Sequence, residues 1–203
     1  MKGYWKNPKA SAEVLRDGWL YTGDMGYVDS DGYLVVLGRF KSLLIGNDGE
    51  KYSPEGIEEA ITDQSPYISQ CMLYNNQQQL TVGLVVPAMG AINRHLEHAG
   101  LKPGTPEATD AALKLIQLEI NAYYKHGKYS GMFPERWLPA AICVLPEAFT
   151  EQNHLINSML KIVRGKITSY YQKELDFLYK PAAKNILNDL NRMNLKKWYD
   201  NYS

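Results

Sequence analysis

Apolar and polar positions along this 203-residue chain follow two regimes. At the start, short β-like pieces alternate with turn signals: Arg16-Asp17-Gly18, Asp29-Ser30-Asp31-Gly32, then the run Tyr33-Leu34-Val35-Val36-Leu37. This pattern predicts strands and hairpins. Such a stretch is too short to close a sheet and would leave open edges, so the chain is expected to begin inside a larger β-rich body.

The texture changes after Gly38, which puts a boundary near Arg39 to Lys41. Ser42 to Ile45 is a short apolar strand, Asn47-Asp48-Gly49 a turn, and Pro54-Glu55-Gly56-Ile57-Glu58-Glu59 opens a helix with proline and acids in its first turn. Cys71 to Tyr74 and Leu80 to Val86 form a hairpin across the polar loop Asn75 to Gln79, and the three strands are expected to share one sheet. Helical spacing follows in Met89 to Ala99 and Glu107 to Tyr124, and Ala140 to Leu145 is another buried strand. From Leu160 the chain is predicted helical, with Ile162, Ile167, Tyr170, Tyr171 and Leu175 on one side, until Pro181 interrupts it; a last segment runs from Ala182 to Tyr202. The sum is an α+β module.

Composition narrows the function classes. With 45% apolar and 22% charged residues the chain is that of a folded globular protein, long enough for one large domain or one domain plus a fragment of another. Lys and Arg total 22, as do Asp and Glu, so no global field gathers the chain onto nucleic acid or an anionic membrane. Cys71 and Cys143 stand far apart with no CxxC neighbour, which argues against a zinc ribbon or disulfide scaffold and for the cytoplasm. The apolar runs are far short of the roughly 20 residues of a membrane helix.

Three clusters carry candidate chemistry. In Gly18-Trp19-Leu20-Tyr21-Thr22-Gly23-Asp24 an aromatic run ends in a Gly-flanked carboxylate, which suits a ribose diol or simply a turn. Gly38-Arg39-Phe40-Lys41 and the loop from Gly46 to Pro54 place two cations and a Gly-rich turn before a helix, fit for phosphate or for a solvated linker. Asn153 to Arg164 is a polar loop leading into a helix, with Lys161 and Arg164 on one face; a Lys at a loop tip reaches a phosphate or carboxylate oxygen as a point charge.

In this order the clusters resemble the adenylate-forming (AMP-binding) superfamily of acyl-CoA synthetases, luciferases and adenylation domains, over nearly the whole chain. Tyr21-Thr22-Gly23-Asp24 is similar to its Y/R-T-G-D motif, and Gly38-Arg39-Phe40-Lys41 with Gly49 and Pro54-Glu55-Gly56-Ile57-Glu58 to its GRxK/D and PxEIE motifs. Lys161-Ile162-Val163-Arg164 falls where its late K-I-x-R segment lies. Met1 to Pro8, Asn47 to Pro54 and the helical stretch between Pro87 and Trp137 resemble the bacterial long-chain fatty-acid CoA ligases.

The resemblance implies a small mixed sheet flanked by helices, preceded by a β-hairpin remnant of a large N-terminal domain: residues 1–38 the end of that domain, 39–41 a hinge, 42–203 a mobile C-terminal lid. It implies that Asp24 binds the ATP ribose hydroxyls, Arg39 assists at ribose or phosphate, Lys41 is the hinge, Gly49 lies in the loop that approaches CoA, and Lys161 bridges the fatty carboxylate and the α-phosphate. ATP, Mg2+ and CoA are the implied cofactors. The implied partner is the N-terminal domain that carries the phosphate loop and acyl tunnel, so the chain alone is expected to be inactive. Two departures stand out: Leu160 replaces the usual Gly before the lysine, and Asn157-Ser158 replace a Thr-Pro or Lys-Thr pair. A fatty acyl-AMP ligase serving a carrier protein and a non-catalytic regulatory module of the same fold are the alternatives.

Other features have plainer readings. His95 and His98 share a helix face without a third ligand nearby, Tyr-Lys interleaving at Tyr123-Tyr124-Lys125 reads as helix packing rather than nucleic-acid stacking, and no metal site is expected. The amphipathic close from Ile186 to Trp198 suits packing on its own domain, with peripheral contact to the inner membrane face as the second reading.

Overall fold

The computed structural model describes residues 1–200, so the predicted end of the last segment at Tyr202 lies outside the described residues. Backbone contacts divide the chain into two units, Met1–Leu43 and Leu44–Ser203.

The first unit opens with helix α1 (Pro8–Val14), where strands alone were expected. Its origin is local: Asn7 caps it by accepting the Ala10 N–H at 3.0 Å, and Pro8 sits in the first turn. It buries no residue, which is why no apolar stripe announced it. Strands β1 (Leu15–Arg16) and β2 (Trp19–Leu20) form a tight hairpin over Asp17 and Gly18, both at positive φ. The strands β3 (Asp24–Val28) and β4 (Leu34–Arg39) pair antiparallel, joined by a turn in which Asp29 Oδ1 accepts the N–H groups of Asp31 and Tyr33. A 3-10 turn, Phe40–Ser42, ends the unit between extended residues.

The second unit runs β5 (Leu44–Gly46), β6 (Lys51–Tyr52), α2 (Glu55–Gln64), β7 (Ile68–Tyr74), β8 (Asn76–Gln78) and β9 (Val82–Pro87). It continues with α3 (Met89–His98), α4 (Pro106–Asn121), β10 (Ala141–Val144), α5 (Arg164–Tyr170), α6 (Gln172–Leu178) and α7 (Asp189–Asp200). Its central sheet has the order β10-β9-β7, with β9 antiparallel to β7 and parallel to β10. The hairpin and the strand at Ala140 to Leu145 are where the pattern put them. The expected sharing of one sheet by the first three strands is not: β5 pairs with β6 and, in parallel, with β8, inside the supposed polar loop. β8 is fully exposed and held by backbone pairing and by Asn75 Oδ1, which accepts the Gln78 N–H at 2.9 Å, so its Asn-Gln sequence carries no apolar signal.

Period-2 alternation sorts the sheet's side chains to two faces. Ile142, Val144, Leu73 and Val85 pack with Ile57 and Ile61 of α2, Ile92 and Leu96 of α3 and Leu113 and Ile116 of α4. Ala141, Cys143, Val82, Leu84, Val86 and Met72 pack with Ile167, Leu175 and Leu178 of α5 and α6. Helices therefore cover both faces of a small mixed sheet, the expected architecture.

Side chains also close both open edges of this sheet. On β10, the Val144 N–H donates to Asn191 Oδ1 at 2.9 Å and its carbonyl accepts from Asn194 Nδ2 at 3.0 Å. On β7, the Leu73 N–H donates to Glu58 Oε1 at 2.6 Å and its carbonyl accepts from Arg164 at 3.2 Å. These four side chains stand in for missing strands, satisfying backbone groups that an edge otherwise leaves unpaired. Because α7 supplies Asn191, Asn194 and the buried Leu195, the closing helix packs onto its own domain.

Candidate functional site

In the first unit the β3–β4 hairpin makes Asp24 and Arg39 cross-strand partners. Arg39 Nε lies 3.0 Å from Asp24 Oδ1, with both side chains largely exposed. Thr22 Oγ1 accepts the Asp24 N–H at 3.1 Å, and Gly23, at φ +78°, accepts the Phe40 N–H at 2.8 Å, so the turn before Asp24 is tied to the chain after Arg39. A carboxylate that accepts from hydroxyls beside a guanidinium that binds phosphate is a pairing suited to a nucleotide's ribose and phosphate. Two residues predicted from separate clusters are thus brought together. Lys41 is exposed within the 3-10 turn.

In the second unit Gly49 lies in the β5–β6 turn at φ +81°, a conformation that favours glycine, with open space where a side chain would stand. The turn is tightened by the Gly49 N–H on the Gly46 carbonyl at 3.0 Å and by the Gly46 N–H on the Glu50 carbonyl at 2.9 Å. Glu50 in turn takes both nitrogens of Arg136 at 2.5 Å and the Trp137 indole N–H at 3.1 Å, while the Trp137 ring stacks on Tyr52. Arg136 and Trp137 hold the Glu50 carboxyl far below the usual range, at about 2. A carboxylate with a depressed pKa stabilises the fold above its unfolded value and loses that contribution as pH falls through its folded one. Acid titration should therefore leave this contact intact through 4.5 and break it near 2, followed by the Glu50 side-chain carboxyl signal in NMR. A midpoint at the ordinary glutamate value would show that Arg136 does not hold it.

Lys161 does not sit on a helix. The chain from Leu160 to Val163, predicted helical, is not helical: Ile162 forms an antiparallel bridge with Ile156, and the helix begins only at Arg164. Lys161 and Arg164 do not share a face, since Lys161 is exposed and Arg164 turns inward to an ion pair with Glu58. The residues between the bridge partners form a turn over Asn157, whose Oδ1 accepts the N–H groups of Met159 at 2.9 Å and Lys161 at 3.0 Å. Leu160 sits at φ +59°, the left-handed region where glycine is favoured. The predicted side of Ile162, Ile167, Tyr170, Tyr171 and Leu175 also fails at Tyr170, which is exposed and donates its hydroxyl to Glu147, because the helix breaks at Tyr171 between α5 and α6.

Spacing alone did not reveal the Glu58–Arg164 pair. Glu58 lies on the buried stripe of α2 beside Ile57 and Ile61, and a carboxylate on an apolar stripe is the signal that a partner waits inside. Burial pushes its carboxyl above the usual range, and the Arg164 charge opposes that shift. His95 faces Tyr67, whose hydroxyl lies 2.8 Å from Nδ1. Among the described residues no group of three metal-ligating side chains comes together.

No family model matches the chain. The fold is similar to that of the adenylation domain of a carboxylate reductase from Mycobacterium chelonae, with a TM-score of 0.67 at 24% identity over 87% of this chain and 26% of that one. It is thus the fold of the C-terminal portion of AMP-binding, adenylate-forming enzymes. In sequence the chain is similar to long-chain acyl-CoA synthetases. It is 30% identical over 184 residues to fatty acyl-CoA synthetase B of Dictyostelium discoideum and 34% identical over 187 residues to long chain acyl-CoA synthetase 8 of Arabidopsis thaliana, in each case over 87% of this chain. The chain spans about a quarter of the length of these relatives, 26% and 25%.

Proposed function

We propose that the chain is the C-terminal lid, with the end of the large domain before it, of an AMP-forming long-chain fatty-acid CoA ligase. In this reading residues 1–38 complete the large domain, 39–41 form the hinge with Lys41 at its centre, and 42–203 form the lid. The observation that carries it is an exposed ammonium, Lys161, at a hydrogen-bonded turn whose far side is anchored in the lid core.

The reaction has two halves. A fatty carboxylate oxygen attacks the α-phosphorus of ATP, the bond to pyrophosphate breaks, and acyl-AMP forms. CoA sulfur then attacks the acyl carbon, AMP leaves, and the thiol proton is released. Asp24 accepts from the ribose hydroxyls and Arg39 meets ribose or phosphate, while Lys161 stabilises charge shared between carboxylate and α-phosphate. The Gly49 turn lets backbone approach the CoA arm closely, since no side chain stands there. Mg2+ would be carried on the triphosphate's own oxygens, where it would offset their charge.

The test is the acceptor. The full-length enzyme carrying this segment, given a long-chain fatty acid, ATP and Mg2+, should form acyl-CoA and AMP when CoA is present. Acyl-AMP made and held until a carrier protein is supplied would instead identify an acyl-AMP ligase, and no adenylate at all would identify a regulatory module. The compartment expected is the cytoplasm; no helix of the described residues is long and apolar enough to cross a membrane.

A further inference from the structure

Lys161 is a long, exposed side chain, and such a group contributes to a transition state only if its backbone is fixed first. Burial does not fix it: Met159 is 73% exposed and Leu160 75%. Hydrogen bonds to Asn157 do, from its side chain and its backbone. One carboxamide oxygen, Asn157 Oδ1, takes the Met159 and Lys161 N–H groups, while the Asn157 backbone N–H donates to the Lys161 carbonyl at 2.9 Å and its carbonyl accepts from Leu160 at 2.9 Å. The peptide units on either side of Lys161 Cα are therefore both tied to Asn157. This bonding also holds Leu160 in a left-handed conformation, which crowds the Cβ of any side-chain-bearing residue against its own backbone.

We infer that Asn157 is a positioning residue for acyl-AMP formation, setting the place of the Lys161 ammonium through the Lys161 backbone. The inference rests on the reading of Lys161 given above and adds a residue that touches no substrate. It predicts a defect confined to one half-reaction, because the Gly49 turn is braced by a different set of side chains, Glu50, Arg136 and Trp137.

The experiment uses the full-length enzyme and measures both halves: acyl-AMP formation from fatty acid and ATP, and thioester formation from supplied acyl-AMP and CoA. Asn157→Ala should slow the first about 10- to 100-fold, the scale of a misplacement near 1 Å, and leave the second within about threefold. Asn157→Asp, whose carboxylate oxygen accepts the same two N–H groups, should restore the first half to within about threefold of the parent. The inference is overturned if Asn157→Ala adenylates normally, if both halves fall equally, or if Asp fails to rescue. Lys161→Ala in the same assay separates the two levels. If it adenylates normally the role of Lys161 itself is wrong, whereas a block with Lys161→Ala beside normal Asn157→Ala refutes the positioning role alone.

Discussion

Replacing Glu58 with alanine should destabilise the Leu44–Ser203 unit by about 3–5 kcal/mol, the cost of stripping one partner from a buried ion pair. Three losses coincide at this position. The Arg164 side chain, only 18% exposed, loses its counter-charge; the Leu73 N–H loses its acceptor at 2.6 Å; and the β7 edge loses half of the pair that closes it. For a chain of this size each kcal/mol moves the melting temperature by about 2–4 °C, so a drop on the order of 10 °C in a thermal melt is expected. Glu58→Gln, which keeps an acceptor for Leu73 but not the charge, should fall between the two. Removing both charges with Glu58→Gln and Arg164→Met should cost less than the two single changes added, since neither buried charge is then left alone. A loss below about 1 kcal/mol for Glu58→Ala would mean that water reaches Arg164 freely and the pair is a surface contact.

That pair also shows what sequence could and could not deliver here. Strands β7, β9 and β10 are legible because both of their faces are buried, so each is a short apolar run, and α3 and α4 because their stripes recur at helical spacing. α1 and β8 escape because neither buries anything: one rests on a cap, the other on backbone pairing and the Asn75 carboxamide. Leu160 to Val163 misleads for a related reason. Ile162 falls at helical spacing from later apolar residues, yet it belongs to a bridge with Ile156, and a turn residue at φ +59° cannot continue a helix.

The candidate residues themselves were readable as motifs. Asp24 and Arg39 meet across one hairpin, which their separation in sequence did not require. Their supports were not readable, because Glu58 finds Arg164 and Glu50 finds Arg136 across long stretches of chain that only the folded sheet brings together. Motif recognition locates candidate groups; the side chains that brace the chain around them depend on packing, and local spacing carries no record of that.

The largest functional effect should come from Lys161→Ala in the full-length enzyme. In the proposed reaction the carboxylate and α-phosphate both carry negative charge as they approach, and a single ammonium facing both would offset that repulsion most where the two are closest, in the transition state. Removing a donor of this kind costs about 100- to 1000-fold in rate. Lys161→Arg should recover little, because a planar fork on a longer stem cannot occupy the place of a compact point charge. Thioester formation from supplied acyl-AMP should stay near the parental rate, since the fatty carboxylate is by then an uncharged acyl group joined to the α-phosphate and the repulsion that Lys161 offsets in this reading is gone. The side chain is exposed and its turn is held by Asn157, so the variant should melt within about 2 °C of the parent. Rapid-quench measurement of acyl-AMP, separate from acyl-CoA, decides the matter: equal losses in both halves would take Lys161 out of the adenylation step and leave it a general structural or binding group.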